Sequence, residues 1–440
     1  MTPFSKTLFV VTTFLAVTLA PSALVQTVST SRKTYHAQPA EDPALRALLA
    51  KGQAALQQKD YATAIDAFSN YIAKKPEGAE GHFWLGYAYS AAAEPEKAIE
   101  EDRKAVALDP NLAEAFQNLG LALLDKDPRA AVEPFRKLAE LKPELAQAHF
   151  VLGTALERSA QIPEAIGEYK AAEKLEPKSF DTHFALGRAN LSVHEAATAE
   201  AEFREALEAD PDSAIARLGL AQSLMAQGKK QEAATELGRY LGAMPGDVAA
   251  RLDRAGLLYD LGEYSDAMAE LDRLDAAAAP SLVSLRLRGE ILFQQKKYAE
   301  AVTPLQKAAV IAPDDPILHA QLGHVLLESK NYPAAIPHLL TACKNNLCDL
   351  STVEDLMAAE YLGGNYSTAL KVLDALEKKQ TLPAGSWYIR ADCLDKLGQK
   401  KESLAAYQKF LELNAGQNND EYFAAAARVR TLAREIKEKK

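Results

Sequence analysis

AEGHFWLGYAYSAAAEPEKAIEEDRKAVALDP, residues 79–110, carries apolar and small side chains at three- and four-residue spacing from Phe83 to Tyr89 and again from Ala98 to Leu108. That period lays them along one face of a helix, so the stretch predicts two amphipathic helices. Pro95, in the intervening AAAEPE, suits a turn or the first turn of a helix, and Asp109-Pro110 stops the second helix. The element is a helical hairpin.

The same element recurs on both sides. Ala64, Ala98, Ala131, Ala165, Ala199, Ala233, Ala267, Ala301, Ala335 and Ala369, closed by Ser403, follow one another at 34 residues, with a single step of 33. An upstream column of Gly52, Gly86, Gly120, Gly153, Gly187, Gly289 and Gly323 keeps the same period, with small residues or Met357 in the remaining copies. Pro76, Pro110, Pro143, Pro177, Pro211, Pro245 and Pro313 punctuate the ends of the units. Eleven copies of one hairpin, each touching mainly its neighbours, predict one elongated all-α solenoid over residues 44–416. The small columns are expected to be packing positions that let helix backbones approach.

These residues resemble the tetratricopeptide repeat (TPR) family, whose unit places a large residue at position 4, Leu-Gly at 7 and 8, Ala at 20, a large residue at 24, Ala at 27 and Pro at 32. Leu152, Gly153, Ala165, Tyr169, Ala172 and Pro177 fill that pattern, Trp387 fills position 4 of the last copy, and Tyr61, Tyr264, Tyr298, Tyr332 and Tyr366 stand at position 17. The resemblance covers about residues 45 to 414. It implies a right-handed superhelical solenoid of about eleven 34-residue hairpins, acting as a non-enzymatic scaffold with a concave face lined by first-helix positions such as 5, 9, 12 and 13. Carried onto this chain, those positions give Phe83, Tyr87, Gln117, Leu121, Phe150, Thr154, Glu157, Arg158, Phe184, Arg188, Leu218 and Gln222 as the expected groove. Exposed aromatics would supply contact area there and the arginines would read carboxylates on an extended peptide or amphipathic helix. The alternative is that the aromatics fill the narrow inner radius. The carboxylate clamp of chaperone-binding members needs asparagine at position 9, which this chain lacks in every repeat.

Net charge is −10, which argues against nucleic acid as the main ligand, since phosphate binding needs a continuous basic surface. At the N-terminus, Lys6 precedes an apolar stretch from Leu8 to Ala20 and then Pro21-Ser22-Ala23. This is the layout of a signal peptide over residues 1–24, followed by a flexible linker over 25–43. It predicts export, to a bacterial periplasm or cell envelope; the alternative is an uncleaved anchor, the one membrane contact foreseen. The functional expectation is a cell-envelope interaction scaffold, with an accessory subunit of a polysaccharide export or secretion machine as the alternative. The partner's identity and the oligomeric state are left open.

Cys343 and Cys348 flank a short loop where the ninth repeat lacks its proline, and a disulfide there would brace the turn, against the alternative of two reduced thiols. Cys393 is expected to be a buried small hydrophobe. His82, His149, His183 and His319 all occupy position 4. Equivalent atoms in adjacent repeats lie about 20 Å apart if each helix adds about 8–10 Å, whereas metal ligands sit about 2 Å from the ion, so these histidines are expected to pack. No metal, cofactor or catalytic motif is expected, and the chain is read as not an enzyme. Pro134, Pro304 and Pro337 are placed early in second helices, where a missing amide costs little. Residues 417–440, with Tyr422, Phe423, Val429, Leu432 and Ile436 at helical spacing, predict a C-terminal capping helix.

Overall fold

The computed structural model describes residues 42–277, 279–344, 349–378, 380–415 and 420–438. Among them are twenty-three α-helices and no strand. Twenty-two helices pair as eleven hairpins, from α1 (Pro43–Gln57) and α2 (Tyr61–Lys74) to α21 (Ala384–Lys396) and α22 (Lys400–Leu413). The last helix, α23, is Asp420–Glu438. Residues 1–41, which hold the predicted signal peptide and nearly all of the linker, lie outside the described residues. None of the described helices is long and apolar enough to cross a membrane.

The chain divides into two compact units, one ending at Ala250 and the other starting at Arg251. In the first, Leu119, Phe135, Leu152, Tyr169 and Leu186 form a stripe running from hairpin to hairpin. In the second, Leu285, Leu305, Leu322, Leu339 and Leu356 do the same.

Within a hairpin, the glycine column has a specific partner. A Cβ added at Gly120, Gly153 or Gly187 would lie 2.4, 2.6 or 2.8 Å from the rings of Phe135, Tyr169 and Phe203, and at Gly289 or Gly323 it would meet Leu305 or Leu339 at 2.6 or 2.5 Å. Position 8 is thus kept bare to seat the position-24 side chain of the same hairpin. The alanine column lies at the centre of each pair, with Ala64, Ala98, Ala131, Ala165 and Ala199 all at 0% exposure.

The turns explain the single short step. Lys59, Ala93, Ala160, His194, Gly228, Gly262, Lys296, Lys330, Gly364 and Gly398 have positive φ, and each is the fifteenth residue of its repeat. This left-handed residue closes the first helix and redirects the chain into the second. Between α5 (Ala113–Leu124) and α6 (Pro128–Leu141) the turn is Asp125-Lys126-Asp127 with no positive-φ residue, and this is the repeat of 33. One deleted residue has removed one left-handed turn.

The placement of the prolines is corrected. Pro134 is the seventh residue of α6, and Pro304 and Pro337 also lie inside their helices, beyond the amides that lack intrahelical acceptors. Each removes a helical hydrogen bond, at a cost of about 3 kcal/mol or more, and Pro134 and Pro304 are buried in the core.

Helix α23 lies over the last hairpin. Leu432 and Ala425 are buried against Tyr407 and Phe410, and Arg428 holds Asp395 by two hydrogen bonds, one of 2.7 Å. Phe423, expected on the packed side, is 57% exposed, because Ala425 takes the contact position two residues on. Cys343 is in disulfide linkage, but Cys348 lies outside the described residues, so the predicted Cys343–Cys348 pair is not described in full. Cys393 is a buried free thiol whose pKa burial pushes up to about 12, the reverse of what a nucleophile needs.

Candidate functional site

The first helices α3 (Ala79–Ala91), α5, α7 (Ala146–Arg158), α9 (Phe180–Ser192) and α11 (Ala214–Ala226) carry the expected groove. Four of its apolar members are not free. Phe83, Phe150, Phe184 and Leu218 are only 6, 8, 7 and 9% exposed, and Thr154 is 7% exposed. Phe150 packs on Tyr169 with ring centroids 5.7 Å apart, Phe184 on Phe203 at 5.8 Å, and Phe83 on Trp84 at 4.9 Å. The expectation of exposed aromatics is therefore corrected: Phe150 and Phe184 complete the seat of the position-24 rings Tyr169 and Phe203, and Phe83 is buried beside Trp84 and Ala105. Tyr87, Gln117, Leu121, Glu157, Arg188 and Gln222 are half-buried, and Arg158 is exposed.

The arginines also have partners within the chain. Arg188 donates to Glu157 across the repeat boundary at 2.6 Å, and Tyr169 donates to the same carboxylate at 2.7 Å. Burial opposes the Arg188 charge, but Glu157 outweighs it and raises the pKa; burial and Glu157 together raise that of Tyr169, which stays a donor. Arg158 bonds Asp125 at 2.9 Å. Position 12 of one repeat thus meets position 9 of the next, as Tyr361 meets Asp392 at 3.0 Å in the second unit.

A second, regular constellation was missed in the sequence. At position 4, the His82 Nδ1 lies 2.6 Å from Glu101 and its Nε2 2.9 Å from the carbonyl of Pro76. His149 repeats this with Glu168 at 2.7 Å and Pro143 at 3.1 Å, and His183 with Glu202 at 2.8 Å and Pro177 at 3.0 Å. Arg217 takes the same place, bonding Glu236 at 3.1 Å and the Pro211 carbonyl at 2.6 Å, and Arg251 bonds Glu270 at 2.6 Å. Each basic residue ties its own second helix through position 23, and His82, His149, His183 and Arg217 also hold the carbonyl of the preceding repeat's terminal proline. Where position 4 is Phe116 or Leu285, position 23 is Pro134 or Pro304. The signal was present as a basic residue and a glutamate 19 apart, in columns read only one at a time.

Glu173, His183 and Glu202 place one ligand atom each within 4.8 Å of one another, the arrangement of a metal cradle. Yet the His183–Glu202 distance matches those of His82 and His149, where Ile72 and Ala139 stand in place of Glu173. The geometry is that of the recurring hydrogen-bond clasp.

Asp102 breaks the core pattern. It stands at position 24 with 0% exposure, its oxygens meet no donor at hydrogen-bonding geometry, and a Cβ on Gly86 would lie 2.3 Å from it. Burial pushes its pKa up to about 8, with the nearby Asn118 amide offsetting part of the effect and Glu101 adding to it.

A tetratricopeptide repeat family model matches residues 40–113, 118–180, 184–248 and 356–418, more than half of the chain. The chain belongs to the tetratricopeptide repeat family. Two further TPR models match residues 224–288 and 289–330. TPR arrays are protein-interaction scaffolds, and this chain is built as one. It is 35% identical over 78 residues to the heat-shock protein cognate co-chaperone sgt12 of Aspergillus fumigatus, a stretch spanning 18% of this chain and 23% of that protein. Among solved structures it is similar to MamA, at 25% identity over 38% of this chain and 93% of that one, TM-score 0.37. It is also similar to YrrB, described as a TPR protein with an unusual peptide-binding site, at 23% identity over 42% of this chain and 97% of that one, TM-score 0.40.

Proposed function

We propose that this TPR protein is a non-enzymatic scaffold of the cell envelope that receives an extended peptide or a helix on the first-helix face of repeats two to six. The observation that carries the reading is a row of half-buried groups, Tyr87, Gln117, Leu121, Arg188 and Gln222, with the exposed Arg158, along the first helices. Recognition then rests on amide, phenol and guanidinium groups at the rim of the buried rings. Arg158 would exchange Asp125 for a partner carboxylate at the surface, since both members of that pair are exposed, while Arg188 would stay paired with Glu157 and present the edge of that pair. Export is supported by the charged and apolar layout of residues 6–23.

The test is crosslinking capture from the native envelope fraction with wild type and a Tyr87→Ala, Gln117→Ala, Arg158→Glu variant of unchanged helicity. The reading expects a protein crosslinked to the first-helix face of repeats two to six and lost in the variant. Equal capture by both, with crosslinks on the second helices, would contradict it.

A further inference from the structure

We propose that the two units carry pH-sensitive joints of opposite sense at the same repeat position: rising pH releases the joint at His183 in the first unit, and falling pH releases the joint at His319 in the second. In the first, the two nitrogens of His183 face the Glu202 carboxylate at 2.8 Å and the Pro177 carbonyl at 3.0 Å. Both oxygens can only accept, so the clasp closes when both nitrogens carry a proton. The charged groups facing the ring are Glu202 from α10 (Ala196–Ala209) and Glu173 from α8 (Ile162–Leu175), both carboxylates. Removing one proton aims a lone pair at an oxygen and opens one of the two bonds.

In the second unit, α17 (Pro316–Glu328) and α18 (Tyr332–Ala342) use the same positions with different chemistry. His319 Nε2 lies 2.8 Å from the Pro313 carbonyl, but its Nδ1 faces the Nδ1 of His338 at 2.9 Å where the other clasps have a glutamate. A hydrogen bond between the two Nδ1 atoms needs a proton on one and a lone pair on the other. The contact therefore closes with neutral rings, or with one charge on the pair, and opens when both rings are charged.

The shifts agree in direction with this geometry. Burial lowers the His183 pKa, but the Glu202 and Pro177 bonds outweigh it and leave it raised. Burial and the neighbouring His319 lower that of His338. A raised folded pKa gives stability that is complete below the free value of 6.5 and is lost as pH rises through the folded value. A lowered one gives stability that is complete above 6.5 and is lost as pH falls through the folded value. The two windows lie on opposite sides of the free histidine. Arg217, with Glu236 and Pro211, is the same clasp with a permanent charge.

Hydrogen exchange of the full chain from about pH 5 to 8.5, corrected for intrinsic rates, reads both joints at once. Wild-type peptides of α9 and α10 should lose protection above about pH 6.5 and those of α18 below it, by up to about tenfold per pH unit; α17 also carries His324, whose pKa Asp355 raises from 2.6 Å, so its peptides mix both senses. H183R, which copies Arg217, should flatten the first response and leave the second. H338E should turn the second from acid-sensitive to alkali-sensitive, and H319R/H338E, which copies the Arg217–Glu236 pair, should abolish it. An unaltered α9–α10 profile in H183R, or loss of protection in the same pH direction by α9–α10 and by α18, would overturn the proposal.

Discussion

In the first unit, the position-24 side chain is a ring in four of six repeats, Phe68, Phe135, Tyr169 and Phe203, with Asp102 and Leu237 in the other two. In the second it is a leucine: Leu271, Leu305, Leu339 and Leu373, until Tyr407 in the last repeat. The glycines are equally close-packed in both, with the Cβ site of Gly153 at 2.6 Å from Tyr169 and that of Gly289 at 2.6 Å from Leu305. The hairpin therefore sets a slot and the sequence chooses its filling. The position-4 clasp follows the same rule: one slot holds imidazole with carboxylate, guanidinium with carboxylate, or two imidazoles. What differs between the His183 slot of the first unit and the His319 slot of the second is the charge needed to close it.

The strongest way to sharpen this comparison is the slot that has neither filling. Asp102→Leu gives the second repeat of the first unit what the second unit uses. It should raise that unit's unfolding free energy on the order of 4 kcal/mol near pH 8, measured by urea unfolding at several pH values. Because the carboxyl pKa is raised from 3.8 to about 8, its cost grows as pH climbs between those values. The gain should therefore shrink on acidification; a gain independent of pH would mean that shape alone is at issue.

Next in size is the contrast between clasps. Glu270 is 1% exposed and holds Arg251, Arg254 and Arg273, so Glu270→Gln leaves guanidinium charge in the interior and should cost about 3 kcal/mol. Glu202→Gln leaves a histidine that can shed its proton, and should cost nearer about 1 kcal/mol, with the His183 response removed. Equal costs would show that the position-23 glutamates act through packing. Phe203→Leu imports the second unit's filling into the first, where Gly187 and Gly219 both face the ring. The void should cost about 1.5 kcal/mol in chemical denaturation, and a neutral outcome would mean the two fillings are interchangeable. Smallest is the turn position. Ala160→Gly relieves a left-handed residue and should gain about 0.5 kcal/mol, while Gly228→Ala should lose about 1 kcal/mol.

The hairpins, their period and the closing helix were legible because helical spacing and small-residue columns are local signals that repeat. The 33-residue step was visible as a number, but its meaning as a missing left-handed turn needed backbone angles. Exposure was the weaker inference. Phe83, Phe150 and Phe184 sit at positions assigned to the concave face, yet a ring at position 5 lies close enough to the second helix to be buried there. The clasp escaped because its partners, such as His183 and Glu202, lie 19 residues apart on different helices, and a column of histidines read alone reports only a shared position. Pro134 and Pro304 escaped for a related reason, since the depth of a proline within a helix depends on where the helix begins.

The comparison rests on the protonation of one slot in two places, and imidazole nitrogen-15 chemical shifts of the histidine-labelled full chain at about pH 6.5 report it directly. The account predicts that both nitrogens of His183 carry protons while the His319–His338 pair retains an unprotonated nitrogen. A lone-pair nitrogen on His183, or a fully protonated His319–His338 pair at that pH, would contradict it.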